Sequence, residues 1–134
     1  MKHFLAVSPA VVYYRNLHLS SVIKALRFRY KGKAIIYALR CQITGQMYIG
    51  SSLAPSLRFH SHLVTGLYSN ANLQNAIDKN GLNRFTAYIF EEVVIPKGLT
   101  LPQAKAYLAK IEQSYIDRYP SDQLYNTNKS SLSS

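Results

Sequence analysis

IIYALRCQITGQMYIGSS, residues 35–52, decides how the chain folds. Residues 34–41 and 46–51 alternate loosely and are rich in strand formers, with Thr44 and Gly45 between them, so the stretch predicts an antiparallel hairpin. Side chains alternate along a strand, and parity therefore places the two tyrosines. With an even loop, Tyr37 and Tyr48 share one face of the sheet. A four-residue loop, Gln42–Gly45, makes them diagonal neighbours roughly 7–8 Å apart. A two-residue loop keeps the shared face and separates them further.

The segments on either side complete a small domain. PSLRFHSHLVT (55–65) opens with a first-turn proline and reads as a short helix. Leu53, Leu57 and Val64 suit its buried side, while Arg58 and His62, four apart, share another face. NANLQNAIDKNG (70–81) is a second helix, with Leu73, Ala76 and Ile77 inward and Asn80–Gly81 ending it. RFTAYIFEEVVI (84–95) is a third strand with Phe85, Ala87 and Ile89 opposite Thr86, Tyr88 and Phe90. TLPQAKAYLAKIEQSYIDRY (100–119) is the longest helix. Thr100 and Gln103 give it a capping-box pattern, and Ala104, Leu108, Ile111 and Tyr115 form its apolar stripe. Glu112 lies on the edge of that stripe. The expected fold class is α+β: a small antiparallel three-stranded sheet flanked by helices, in β-β-α-α-β-α order behind a basic helical leader.

The expected organisation is a leader (1–33), a main domain (34–127) and a frayed polar tail (128–134). The leader holds no acidic residue, and Leu19, Val22, Ile23 and Leu26 fall at helical spacing within it. That composition fits a transit peptide, a basic arm on nucleic acid or an ordinary surface helix.

The charge balance narrows the partner. The 134 residues carry 16 Lys+Arg against 6 Asp+Glu, a formal charge of +10. No acidic residue precedes Asp78, so the first half carries most of the positive field. A polyanion is implied, with nucleic acid first and an anionic membrane surface second. Lys31, Lys33, Arg40 and Ser51 are the candidate phosphate contacts. Cys41 is the single cysteine, which excludes an intrachain disulfide and a thiolate cluster, and no apolar run approaches a membrane-spanning length.

Taken singly, the polar candidates have ordinary explanations. Eleven tyrosines in a chain without tryptophan make any one of them packing material first. Arg58 and Glu112 suit solvated helix faces, His62 a satisfied histidine, and Asn126 a turn. Together they are more specific. IIY at 35–37, YIG at 48–50, Arg58 ten residues after Tyr48, Glu112 in IEQSYID and Asn126 in LYNTN resemble the GIY-YIG endonuclease family over about residues 33–126. KGKAIIY…TGQMYIGSS and KNGLNRF look especially like homing-endonuclease members encoded in fungal mitochondrial introns. Ile35 replaces the glycine of the first motif. Tyr68 stands where homing members often carry a second histidine, and His62 matches a family histidine near the end of the first helix.

The resemblance implies a Mg2+-dependent DNA endonuclease (Mn2+ substituting) acting on double-stranded DNA, with mitochondrial residence, no membrane and no protein partner required. It makes Glu112 the metal ligand on the leaving-group side. Tyr37 or Tyr48 would be the general base, Arg58 the phosphate-binding cation that also lowers the phenol pKa, and His62, Tyr68 and Asn126 would complete the site. The acid inventory agrees. Six carboxylates, of which Glu91 and Glu92 point to opposite faces of a strand, do not build a two-metal cluster. One hydrated Mg2+ on one carboxylate is the economical arrangement. In this reading Gly50–Ser52 keep the approach to the backbone open. The alternative is a non-catalytic nucleic-acid-binding module on the same fold.

Overall fold

A computed structural model describes residues 11–67 and 69–126. Its sheet is antiparallel and has the spatial order β1 (Val12–Tyr14), β4 (Phe85–Val93), β2 (Ala34–Cys41), β3 (Met47–Ser52). The helices are α1 (Ser20–Tyr30), α2 (Pro55–His60), α3 (Ala71–Asn80) and α4 (Leu101–Ile116).

The sheet therefore has four strands rather than the expected three. The added strand, β1, comes from the segment read as leader, and it pairs Val12 with Ile89 and Tyr14 with Ala87. Three residues are too few for an alternation pattern to register. Without them, however, the outer side of β4 would present a row of unpaired N–H and C=O groups. The amphipathic stretch of the leader is α1, and Ile23, Leu26 and Tyr30 share one core with Tyr37, Leu39 and Phe85.

Alternation along β2 divides the molecule into layers. Ile35, Tyr37 and Leu39 face α1, α2 and α3, while Ile36, Ala38, Met47 and Ile49 share the opposite core with Leu108 and Ile116 of α4. Helix α4 starts with a full capping box: Thr100 Oγ1 accepts from the Gln103 N–H and Gln103 Oε1 from the Thr100 N–H.

The hairpin has the four-residue loop Gln42–Gly45. Cys41 N–H donates to Gln46 O across 2.9 Å, and Gly45 takes the positive φ of 77° that the turn requires. Tyr37 pairs with Gly50 and Leu39 with Tyr48, so the tyrosines are diagonal neighbours on one face. Their ring centroids lie 6.4 Å apart.

Two irregularities interrupt this plan, one in each layer. The β2–β4 register shifts between Ile36 and Tyr37, from Ile36–Glu91 to Tyr37–Ile89, leaving Phe90 as a bulge residue. Phe90 and Glu91 both meet Tyr115 of α4, by ring stacking and by a 2.6 Å hydrogen bond donated from the tyrosine. Glu92 turns away and pairs with Arg29 and Lys33. The second irregularity follows α2, which continues as a π-helical turn, Ser61–Thr65. Here the expected buried face is wrong. Leu57 and Val64 are 71% and 55% exposed, and Pro55, Phe59, His62 and Leu63 point inward instead. Phe59 packs edge-on against Tyr37, and that contact sets which stripe of the helix faces the sheet.

Candidate active site

Tyr37 and Tyr48 are both fully buried, and His62 lies against both rings, with centroids at 5.8 Å and 5.3 Å. The Tyr37 hydroxyl and His62 Nε2 are 2.7 Å apart, and His62 Nδ1 is 2.6 Å from Ser69 Oγ. Gln74 Nε2 donates to both Ser69 Oγ and the His62 carbonyl, so α3 holds the far end of this chain. The result is a continuous hydrogen-bonded path from a buried phenol to the half-buried Ser69. Burial, reinforced by the Arg58 charge, lowers the His62 pKa to about 3. The imidazole is therefore neutral at pH 7, with one nitrogen carrying a proton and the other accepting one.

Burial also dominates the phenols. It raises the Tyr37 pKa well above 10, with Tyr48 and Glu112 adding to the effect and Arg58 opposing it. Tyr48 is raised for the same first reason, again against the pull of Arg58. Against the sequence expectation that positive charge would make a phenolate accessible, burial outweighs Arg58 at both rings. For Arg58 itself, burial works against the charged form, and the two tyrosine oxygens outweigh it and raise the pKa. Arg58 is half-buried, and its guanidinium bears on both hydroxyls. Tyr48 Oη nevertheless has no hydrogen-bond partner at ordinary geometry. The Arg58 guanidinium therefore acts on it mainly through charge.

Gly50 explains why the second motif ends in glycine. A Cβ there would stand 2.6 Å from Tyr37 Oη and 2.9 Å from Tyr48 Cε2. The expected open approach beside Gly50 is instead filled by the Tyr37 phenol.

Glu112 comes from the other layer. Ser51, whose side chain alternates to the α4 side of β3, donates to Glu112 Oε1 at 2.5 Å. Oε2 is buried without a partner, and the residue is 1% exposed. Burial raises the carboxyl pKa to about 7, opposed by the Ser51 hydrogen bond and the Arg58 charge. Carboxylate and phenols thus sit on opposite faces of the β2–β3 hairpin, and the Glu112 charge adds to the upward shift of both phenols. An orphaned, partly charged oxygen in a buried place is what a cation would satisfy. The donor set offers one carboxylate: among the described residues no group of three or more His, Cys, Asp or Glu could hold a metal. Among the described residues the donor count therefore suits a single ion at Glu112 and not a two-metal cluster.

Asn126 is a clamp. Its Oδ1 accepts from Ile49 N–H at 2.9 Å and its Nδ2 donates to Ile49 O at 2.8 Å, fixing β3 between Tyr48 and Gly50. Tyr125 N–H donates to Met47 O, so the segment runs along the outer edge of β3 as a short strand would. The remaining predicted residues are dispersed. Lys33 pairs with Glu92, Arg40 faces the α4 side near Tyr119, and Lys31 lies in a cleft beside α1. Ser51 is engaged by Glu112. Tyr68 lies outside the described residues. Sequence reasoning missed Ser69, just before α3, and Gln74 within it, which are ordinary polar residues until His62 is seen between them and Tyr37.

Over 111 residues the chain is 35% identical to a Neurospora crassa protein named "Probable intron-encoded endonuclease 1". The aligned stretch covers 83% of this chain and 35% of that relative, so the chain spans about a third of the relative's length. No protein-family model matches the chain, and no solved structure matches it.

Proposed function

We propose that the chain is a metal-dependent DNA endonuclease of the GIY-YIG type, hydrolysing phosphodiester bonds with Tyr37 as general base. The observation that carries this reading is the Tyr37–His62–Ser69 hydrogen-bonded path, with the Arg58 charge bearing on the Tyr37 hydroxyl and the half-satisfied Glu112 carboxylate on the other face of the same hairpin. The similarity to a protein named as an endonuclease supports it. Residence in a fungal mitochondrion belongs to the same proposal.

The chemistry follows from the neutral imidazole. Arg58 binds a nonbridging phosphate oxygen with its planar fork, and the unpartnered Tyr48 hydroxyl donates to another. The attacking water gives its proton to Tyr37 Oη as the phenol passes its own to His62 Nε2. His62 in turn releases the Nδ1 proton to Ser69 Oγ, whose proton goes to solvent. No imidazolium and no free phenolate forms, so neither unfavourable pKa has to be crossed. The water oxygen bonds to phosphorus, the ester P–O bond breaks, and the departing oxygen takes a proton from solvent. Mg2+ held by Glu112, when bound, would supply neutralisation of the charge that develops on that oxygen.

Plasmid nicking tests the reading. Activity is expected with Mg2+ or Mn2+, none in EDTA, and a loss of at least 100-fold in Arg58→Ala and Glu112→Gln. Cutting that survives the Glu112 change removes the metal assignment. Salt-sensitive DNA binding with no cutting under any divalent ion establishes the binding module instead.

A further inference from the structure

We propose that the outer stripe of α1, formed by Lys24, Arg27, Phe28 and Lys31, is a DNA-gripping surface that holds phosphates beside the cleavage site and sets the Phe28 ring against the bases. It rests on DNA being the substrate.

Helix α1 has already used its apolar side in the core, through Ile23, Leu26 and Tyr30. Residues 24, 27 and 28 and the C-cap Lys31 recur at i, i+3, i+4 and i+7, so they form one ridge flanking the buried side. Phe28 is 84% exposed within that ridge, the most exposed aromatic side chain among the described residues. The three cations around it make no ion pair among the described residues, whereas nearby Arg29 and Lys33 are both committed to Glu92. Lys24, Arg27, Phe28, Lys31 and Ser56 line a shallow cleft of about 170 Å3. Arg27 Nε donates to Ser56 Oγ at 3.2 Å, which ties the ridge to the first turn of α2. Arg58 stands two residues further along α2. A nucleic-acid strand lying on the ridge is thereby led towards the guanidinium that meets the phenols.

Three uncompensated cations bracketing a lone exposed aromatic suit a polyanion that also offers flat apolar faces. An anionic membrane fits less well. Membrane-surface helices bury a broad apolar face in lipid, and the apolar side of α1 is inside the protein.

The test is binding of a short fluorescent duplex in EDTA, where cleavage is not read, at a series of salt concentrations. Changing Lys24, Arg27 and Lys31 to Gln should flatten the slope of log Kd against log salt by about 2.7, at roughly 0.9 per lost phosphate contact. The Lys24→Gln/Lys31→Gln pair, which leaves the Arg27–Ser56 bond intact, should flatten it by about 1.8. Phe28→Ala should weaken binding about tenfold with the slope unchanged. An unaltered slope in both charge variants overturns the surface, and unaltered affinity in Phe28→Ala overturns the role of the ring. Loss of binding to phosphatidylserine vesicles in the charge variants, with duplex affinity unchanged, would assign the ridge to membranes. A parent chain that binds with the full slope but never nicks defeats the endonuclease reading alone. A parent that nicks while the charge variants keep the parental slope defeats this one alone.

Discussion

At pH 8 the Glu112 carboxyl carries a charge that its surroundings barely solvate. Its folded pKa of about 7 stands above the unfolded value near 4.5. Between those values the folded chain holds a proton that the unfolded chain has released, so stability falls as pH rises through the window and levels off above pH 7. The loss is on the order of 3 kcal/mol. Glu112→Gln should therefore melt about 10 °C higher than the parent at pH 8 in EDTA, and the difference should vanish near pH 5. His62 works in the other direction. Its folded pKa of about 3 lies below the unfolded 6.5, so the stability present above pH 6.5 is lost as pH falls towards 3. The loss is about 1.4 kcal/mol per pH unit, and urea melts of His62→Gln should show a shallower acid limb. Gly50→Ala places a methyl against Tyr37 Oη and should cost about 1–3 kcal/mol and most of the nicking activity, read by melting and plasmid assay.

At the scale of elements, the C-terminal segment is a fastening for β3. Asn126→Ala removes two hydrogen bonds to Ile49 and should destabilise by about 2 kcal/mol, with faster amide exchange at Ile49 as the local signature. How far such detail is legible in sequence depends on whether it is local. The four-residue hairpin loop, the shared face of the tyrosines and the Thr100 capping box are set by residues close in the chain, and parity or spacing finds them. The inward stripe of α2 is set by Phe59 meeting Tyr37 across the core, and apolar spacing alone favoured Leu57 and Val64. The Phe90 bulge also leaves no local mark, since its neighbours alternate normally. Ser69 and Gln74 join the site only through tertiary packing around His62.

For the whole molecule, the described part of the basic leader and the hairpin share one core, which a two-part reading of the sequence does not convey. Leu26→Ala should cost about 2–5 kcal/mol and shift the midpoint of one cooperative urea transition followed at the tyrosines. A second, independent transition for the α1 region would contradict this. No helix among the described residues is long and apolar enough to cross a membrane. The charge asymmetry was plain from composition. Its local neutralisation by Glu92 was not, because the carboxylate lies some sixty positions away along the chain and meets Arg29 and Lys33 only when the sheet forms.

Because Tyr48 and Ser51 alternate to opposite sides of one edge strand, pairing register decides whether the candidate site is assembled. Adding one residue to Gln42–Gly45 and letting β3 slide by one step would send the phenol to the carboxylate's layer and the serine to the imidazole's. The Tyr48–His62 and Ser51–Glu112 contacts would then both be lost without altering any of those four side chains. Length variation in that tip, usually the most forgiving part of a hairpin, should here be among the least tolerated changes in the gene.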